Sequence, residues 1–89
     1  MIEKNFNVID KAGIHARPAS VLVSVASDYE SEIKIIYKEK TVNLKSILSV
    51  MALGIPFGEE FKINAEGLDE EEALNKLEET LEKEGLVNA

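Results

Sequence analysis

The sequence predicts an α+β fold, a two-layer open sandwich with three helices over a four-stranded, mainly antiparallel sheet. Three observations predict it. Two segments, 16–27 and 69–84, carry apolar residues at three- and four-residue spacing, as helices with one buried face do. Four short segments alternate apolar and polar residues, as half-buried strands do. The order is strand, helix, strand, strand, helix, strand, helix, which closes two layers around one core. No linker or low-complexity stretch interrupts the 89 residues, so residues 1–89 read as a single domain.

The first strand is expected over Ile2–Ile9, with Ile2, Phe6 and Val8 on one face and Glu3, Asn5 and Asn7 on the other. Lys4 breaks that alternation. Asp10-Lys11-Ala12-Gly13 reads as a loop, with Gly13 supplying backbone freedom. A helix follows from Ala16 to Ser27, buried through Ala19, Leu22, Val23 and Ala26. Pro18 suits its first turn, where a missing N–H has no partner to lose. Ser20 and Ser24 lie off the apolar stripe, as solvated or contact-surface residues.

After the polar loop 28–31, Ile33, Ile35 and Tyr37 mark the second strand. Lys38-Glu39-Lys40 is a tight connection to a short third strand, Thr41–Leu44. Glu39 stands where a two-residue hairpin favours a positive φ, which leaves the turn type open. Ser46 is a preferred N-cap for a short helix, Ile47–Leu53, and Gly54 suits its C-terminus. Pro56-Phe57-Gly58 is a turn, and Phe61, Ile63 and Ala65 alternate with polar residues as the fourth strand. Asp69 with Glu72 reads as a capping box. The last helix runs to about Glu84 on Ala73, Leu74, Leu77 and Leu81, with Glu72–Lys76 and Glu79–Lys83 as i,i+4 pairs and Gly85 as its stop.

Composition narrows the function. A chain of this size buries only roughly 60–65% of its unfolded surface, so chemistry belongs at the surface rather than in a deep cavity. No apolar run reaches the length of a membrane span, and the first residues lack a signal-peptide layout, which implies a cytoplasmic protein with no membrane insertion. With no cysteine and one histidine, neither disulfides nor a metal site is expected, and no cofactor is implied. The net charge of −7 is uneven: residues 1–58 carry six acidic and seven basic side chains, residues 59–89 eleven and three. Such a balance disfavours direct nucleic-acid binding but leaves a less acidic patch that fits acidic partner surfaces.

That patch holds Gly13-Ile14-His15-Ala16-Arg17-Pro18-Ala19-Ser20, which contains the only histidine and the only arginine of the chain. His15 falls at, or one residue before, a helix N-terminus, where free N–H groups and the helix dipole favour an anion. A neutral imidazole is a nucleophile, and the planar donor fork of Arg17 suits phosphate oxygens. The spacing therefore fits a histidine that accepts a phosphoryl group. It also fits an ordinary surface histidine in a loop.

This stretch, together with Val42-Asn43-Leu44-Lys45-Ser46-Ile47-Leu48, resembles HPr, the histidine-containing phosphocarrier of the bacterial phosphoenolpyruvate:sugar phosphotransferase system. The resemblance runs from end to end. It implies the strand order 1-4-2-3, and a carrier that is not itself an enzyme. It implies His15 as acceptor through Nδ1, Arg17 as the phosphate-stabilising neighbour, and Ser46 as a regulatory phosphorylation site of the Gram-positive type. The implied partners are enzyme I, enzyme IIA domains, HPr kinase/phosphorylase and, once Ser46 is phosphorylated, the catabolite control protein of carbon catabolite repression. A monomer is the default for a carrier with several partners.

Ser46 fits two compatible roles, helix cap and modified serine. Ile47, Leu48, Val50, Met51 and Leu53 cannot all face the core of so short a helix. Ile47, Leu48 and Met51 are thus docking candidates, together with Ser20. Two rival readings predict different behaviour. A purely regulatory module would work through Ser46 alone, and relatives of that kind lack the active-site histidine. A small acylphosphatase-like hydrolase would turn over acyl phosphates by itself.

Overall fold

A computed structural model describes residues 1–88. Its elements are β1 (Ile2–Asn7), α1 (Ala16–Ala26), β2 (Glu32–Tyr37), β3 (Lys40–Asn43), α2 (Ile47–Leu53), β4 (Glu60–Glu66) and α3 (Glu70–Lys83). The strands form one sheet in the order β1-β4-β2-β3, every pair antiparallel, with the helices packed on one face. The expected sandwich and strand order are both present.

The core follows from the alternation. Ile33, Ile35, Tyr37, Phe61, Ile63 and Ala65 point from β2 and β4 into the helical layer, where they meet Leu22, Leu74, Leu77 and Leu81. Phe6 sits opposite Phe61 across β1 and β4, and their rings stack at 5.5 Å between centroids. Lys4 keeps the alternation after all. It pairs with Ile63 and so faces the helices, but at the sheet edge, where its ammonium meets the Glu78 carboxylate of α3.

Several element ends differ from expectation by a residue or more. β1 stops at Asn7, because the chain then leaves β4 and the Ile9 N–H donates to the Leu86 carbonyl at 2.8 Å. α1 stops at Ala26, and Ser27 caps it with Oγ donating to the Val23 carbonyl at 2.8 Å. β3 is Lys40–Asn43, and the buried Leu44 just beyond it still donates its N–H to the Ile33 carbonyl of β2 at 2.9 Å, one step further along the same register. In the β2–β3 connection the positive φ, 57°, belongs to Lys38 and not to Glu39. A type I′ turn needs both central residues left-handed, so this is not one.

The capping box at α3 does not form. The Asp69 carboxylate turns away from its own helix and accepts the N–H groups of Glu30 (2.9 Å) and Ser31 (3.0 Å) and the Ser31 hydroxyl. It thereby ties the α1–β2 loop to the start of α3. The Ser31 hydroxyl and the Glu30 and Ser31 N–H groups hold its carboxyl below the ordinary value, because each stabilises the charged form. Glu70, rather than Glu72, reaches back, accepting the Gly67 N–H at 3.1 Å, and its carboxyl is lowered for that reason. On the outer face of α3 the ion pair is Lys76–Glu79 at 3.3 Å, in place of Glu72–Lys76 and Glu79–Lys83. Lys83 is turned toward the loop after β1, where it joins a second cluster of charges.

Candidate functional site

His15 occupies the N-cap of α1 with an extended backbone (φ −96°, ψ −172°), and its side chain makes no capping hydrogen bond. The ring is therefore free for other chemistry and is 44% exposed. Both flanks are anchored. Ile14 is buried and donates its N–H to the Ile55 carbonyl at 2.9 Å, and Pro18 is buried in the first turn of the helix. Gly13 lets the chain pass. Its φ is +70°, and a Cβ there would lie 2.5 Å from the Ile55 carbonyl oxygen and 2.9 Å from the Pro56 Cα.

The first turn supplies donors. The Ala19 N–H closes the first helical hydrogen bond onto the His15 carbonyl at 3.0 Å, and Pro18 has no N–H to offer. The N–H groups of Ala16 and Arg17 are then left at the end of the helix beside the imidazole, where the dipole is positive. The Arg17 side chain is 82% exposed, with Nε 3.9 Å from Glu84 Oε1.

Glu84 arrives from the other end of the fold. Gly85, at φ 73°, ends α3 with paired hydrogen bonds, Leu86 N–H to the Leu81 carbonyl and Gly85 N–H to the Glu82 carbonyl. The reversal sends Leu86 and Val87 into the core and leaves Glu84 and Lys83 beside His15. Asp10 completes the cluster, with Oδ2 3.8 Å from His15 Nε2. Asp10, His15, Arg17, Pro18, Lys83 and Glu84 line a shallow depression of about 190 Å³. It is wide enough for a small anion and open to a partner's surface.

The remaining expected residues lie on the neighbouring helices. Ser20 is exposed on α1. Leu48 is 79% exposed and Met51 43%, while Ile47 is half-buried against the core. Ser46 is the N-cap of α2, its Oγ accepting the Ser49 N–H at 3.4 Å and donating to Ser49 Oγ at 3.0 Å. Asp10, Lys83 and Glu84 were not among the expected site residues. Asp10 was foreshadowed by its place three residues before a glycine, a common turn pattern. Lys83 and Glu84 carried no local signal, since only the folded chain brings the end of α3 to the start of α1.

Residues 2–83 match the family model described as the PTS HPr component phosphorylation site. The chain belongs to the HPr family. Among solved structures it is similar to the histidine-containing phosphocarrier protein of Mycoplasma, at 42% identity and a TM-score of 0.97, covering 99% of this chain and 100% of that one. It is similar to the phosphocarrier protein HPr of Bacillus anthracis, at 40% identity and a TM-score of 0.82, covering 89% and 94%. It is also similar to the Bacillus subtilis catabolite repression protein Crh in a domain-swapped dimer, at 37% identity and a TM-score of 0.73, covering 97% and 99%. The HPr fold thus accommodates a dimer, so the default monomer does not follow from the fold. As an HPr, the chain has a general role as a phosphocarrier of the phosphotransferase system. Among the described residues no helix is long and apolar enough to cross a membrane.

Proposed function

We propose that this HPr is a cytoplasmic carrier, not itself an enzyme, in which His15 Nδ1 takes a phosphoryl group from phospho-enzyme I. It then passes the group to sugar-specific enzyme IIA domains. The observation that carries the reading is the uncapped His15 ring at the α1 N-terminus, beside free first-turn N–H groups and an exposed guanidinium. The imidazole supplies the lone pair, and the N–H groups and Arg17 meet the phosphoryl oxygens. The cradle is shallow and partly acidic, so it holds phosphate only moderately, as a carrier requires.

Regulation belongs to the same reading. Phosphorylation of Ser46 by HPr kinase/phosphorylase adds roughly −1.5 to −2 charges at the start of α2. A dianion beside Leu48 and Met51 repels an acidic partner docking there and offers a handle to a basic one, which suits recognition by the catabolite control protein.

The likeness to Crh raises, without favouring it, a second reading, a regulatory module that works through Ser46 and carries no phosphate on His15. Phosphoenolpyruvate and enzyme I separate the two. The carrier gains one acid-labile phosphate by intact mass, absent in His15→Ala. A protein that gains none, yet takes a stable phosphate on Ser46 from ATP and the kinase, is the regulatory module.

A further inference from the structure

Asp10 is a carboxylate held in place by its own turn beside His15. Its Oδ1 accepts the Ala12 N–H at 2.8 Å, and its carbonyl accepts the Gly13 N–H at 2.9 Å. The loop is pinned before it by the Ile9–Leu86 hydrogen bond and after it by the close passage of Gly13 over Ile55 and Pro56. The turn thus holds the carboxylate beside the imidazole, with Oδ2 3.8 Å from His15 Nε2, a charge contact longer than a hydrogen bond, and the Asp10 side chain only 28% exposed. Among the described residues no lysine or arginine forms an ion pair with it.

A neutral imidazole carries one proton for two nitrogens, and the partner of one nitrogen decides which is protonated. An ionised carboxylate can only accept. Facing Nε2, it keeps the proton there and leaves the lone pair on Nδ1. We propose that Asp10 is a positioning residue for phosphoryl transfer, holding His15 in the Nε2–H tautomer so that Nδ1 is the free nucleophile. This rests on the reading of His15 as phosphoryl acceptor.

In the step, the Nδ1 lone pair forms the bond to phosphorus. The bond from phosphorus to the donor's leaving atom breaks, and its electron pair stays with that atom. The proton on Nε2 does not move. The ring becomes a phosphoimidazolium whose positive charge lies beside the Asp10 carboxylate, and a contact that is long at rest shortens as that charge develops.

Asp10→Asn is the first test, because an amide oxygen can still accept from Ala12 while its NH₂ turns toward Nε2. That NH₂ is satisfied only by an unprotonated Nε2, which moves the proton to Nδ1. Nitrogen-15 NMR of the neutral ring is expected to show the Nε2–H tautomer in the wild type and mainly the Nδ1–H tautomer in the variant. The kcat for phosphoryl acceptance from phospho-enzyme I falls on the order of tenfold, the low end of what losing a histidine-orienting partner costs at metal sites, with KM for enzyme I unchanged. Asp10→Ser, which keeps a short acceptor for the turn but no group within reach of Nε2, guards against an Asn-specific distortion and slows acceptance as well.

An unchanged tautomer balance, or equal acceptance by wild type and both variants, overturns the role of Asp10 alone. A wild-type protein that takes no phosphate on His15 overturns the carrier reading and the role together, whatever the tautomers show.

Discussion

Arg17 and Glu84 face each other from opposite ends of two helices, with Arg17 in the first turn of α1 and Glu84 capping the last turn of α3, 3.9 Å between Nε and Oε1. Under the proposed carrier reading, a phosphoryl group on His15 would compete with Glu84 for the guanidinium. Glu84→Gln is expected to shift the transfer equilibrium toward phosphorylated HPr by a few-fold, an effect that shrinks at high salt. Stability should change by less than about 1 kcal/mol, since such exposed pairs contribute little. The phosphorylated fraction at equilibrium with enzyme I, at two salt concentrations, is the measurement.

Arg17→Ala should slow phosphoryl acceptance and leave the fold alone. Its side chain is 82% exposed, so the stability change stays within about 0.5 kcal/mol. Rapid-quench kinetics together with a denaturant titration check both halves.

Gly13→Ala strikes the opposite balance. The added methyl needs a left-handed backbone, costing about 1–2 kcal/mol, and meets the Ile55 carbonyl besides. A lowered midpoint in urea, with slower acceptance because His15 is displaced, is the expected outcome.

Leu48→Ala and Met51→Glu address docking. Both side chains are exposed, so folding stability should hold within about 0.5 kcal/mol. Affinity for enzyme I should weaken by more than about 1 kcal/mol per substitution, the level that separates residues carrying binding energy from near-neutral contacts. Calorimetric titration that finds unchanged affinity in both variants would falsify the docking role.

The Asp69 tie predicts an acid limb of stability. Its folded carboxyl lies below the ordinary 3.8, so the ionised form is favoured by folding. The contribution is complete above that ordinary value and is lost as pH falls through the lower folded one. Glu70 adds to it in the same direction, from its ordinary 4.5 downward. Asp69→Asn should lower the melting temperature at neutral pH and flatten the dependence below pH 4. Thermal melts across that range test it.

Much of this was legible in the sequence, for physical reasons. Period-two alternation over Ile33–Tyr37 and Phe61–Ala65 has one satisfactory arrangement, and Ser46 with Gly54 brackets α2 by cap chemistry. His15 stood out because it begins a helix next to the only arginine. Asp69 does hold the N-cap position of α3, but the partners of its carboxylate were not legible, because a cap and a cross-loop tie require the same residue type and only the position of Glu30 and Ser31 decides between them. Lys4 looked like an interruption because its partner, Glu78, lies seventy-four residues away. Glu84 was invisible for the same reason, since a contact between the two halves of the chain leaves no local pattern.

The hydrogen bond from Ile9 to Leu86 lies next to Asp10 in one direction and two residues from Glu84 in the other. One fastening therefore bears on both acidic walls of the depression, alongside the Ala12 turn that holds Asp10 and the Gly85 reversal that places Glu84. Loosening the Leu86 anchor is expected to move both carboxylates, so that a change at Leu86 reaches the imidazole without touching it.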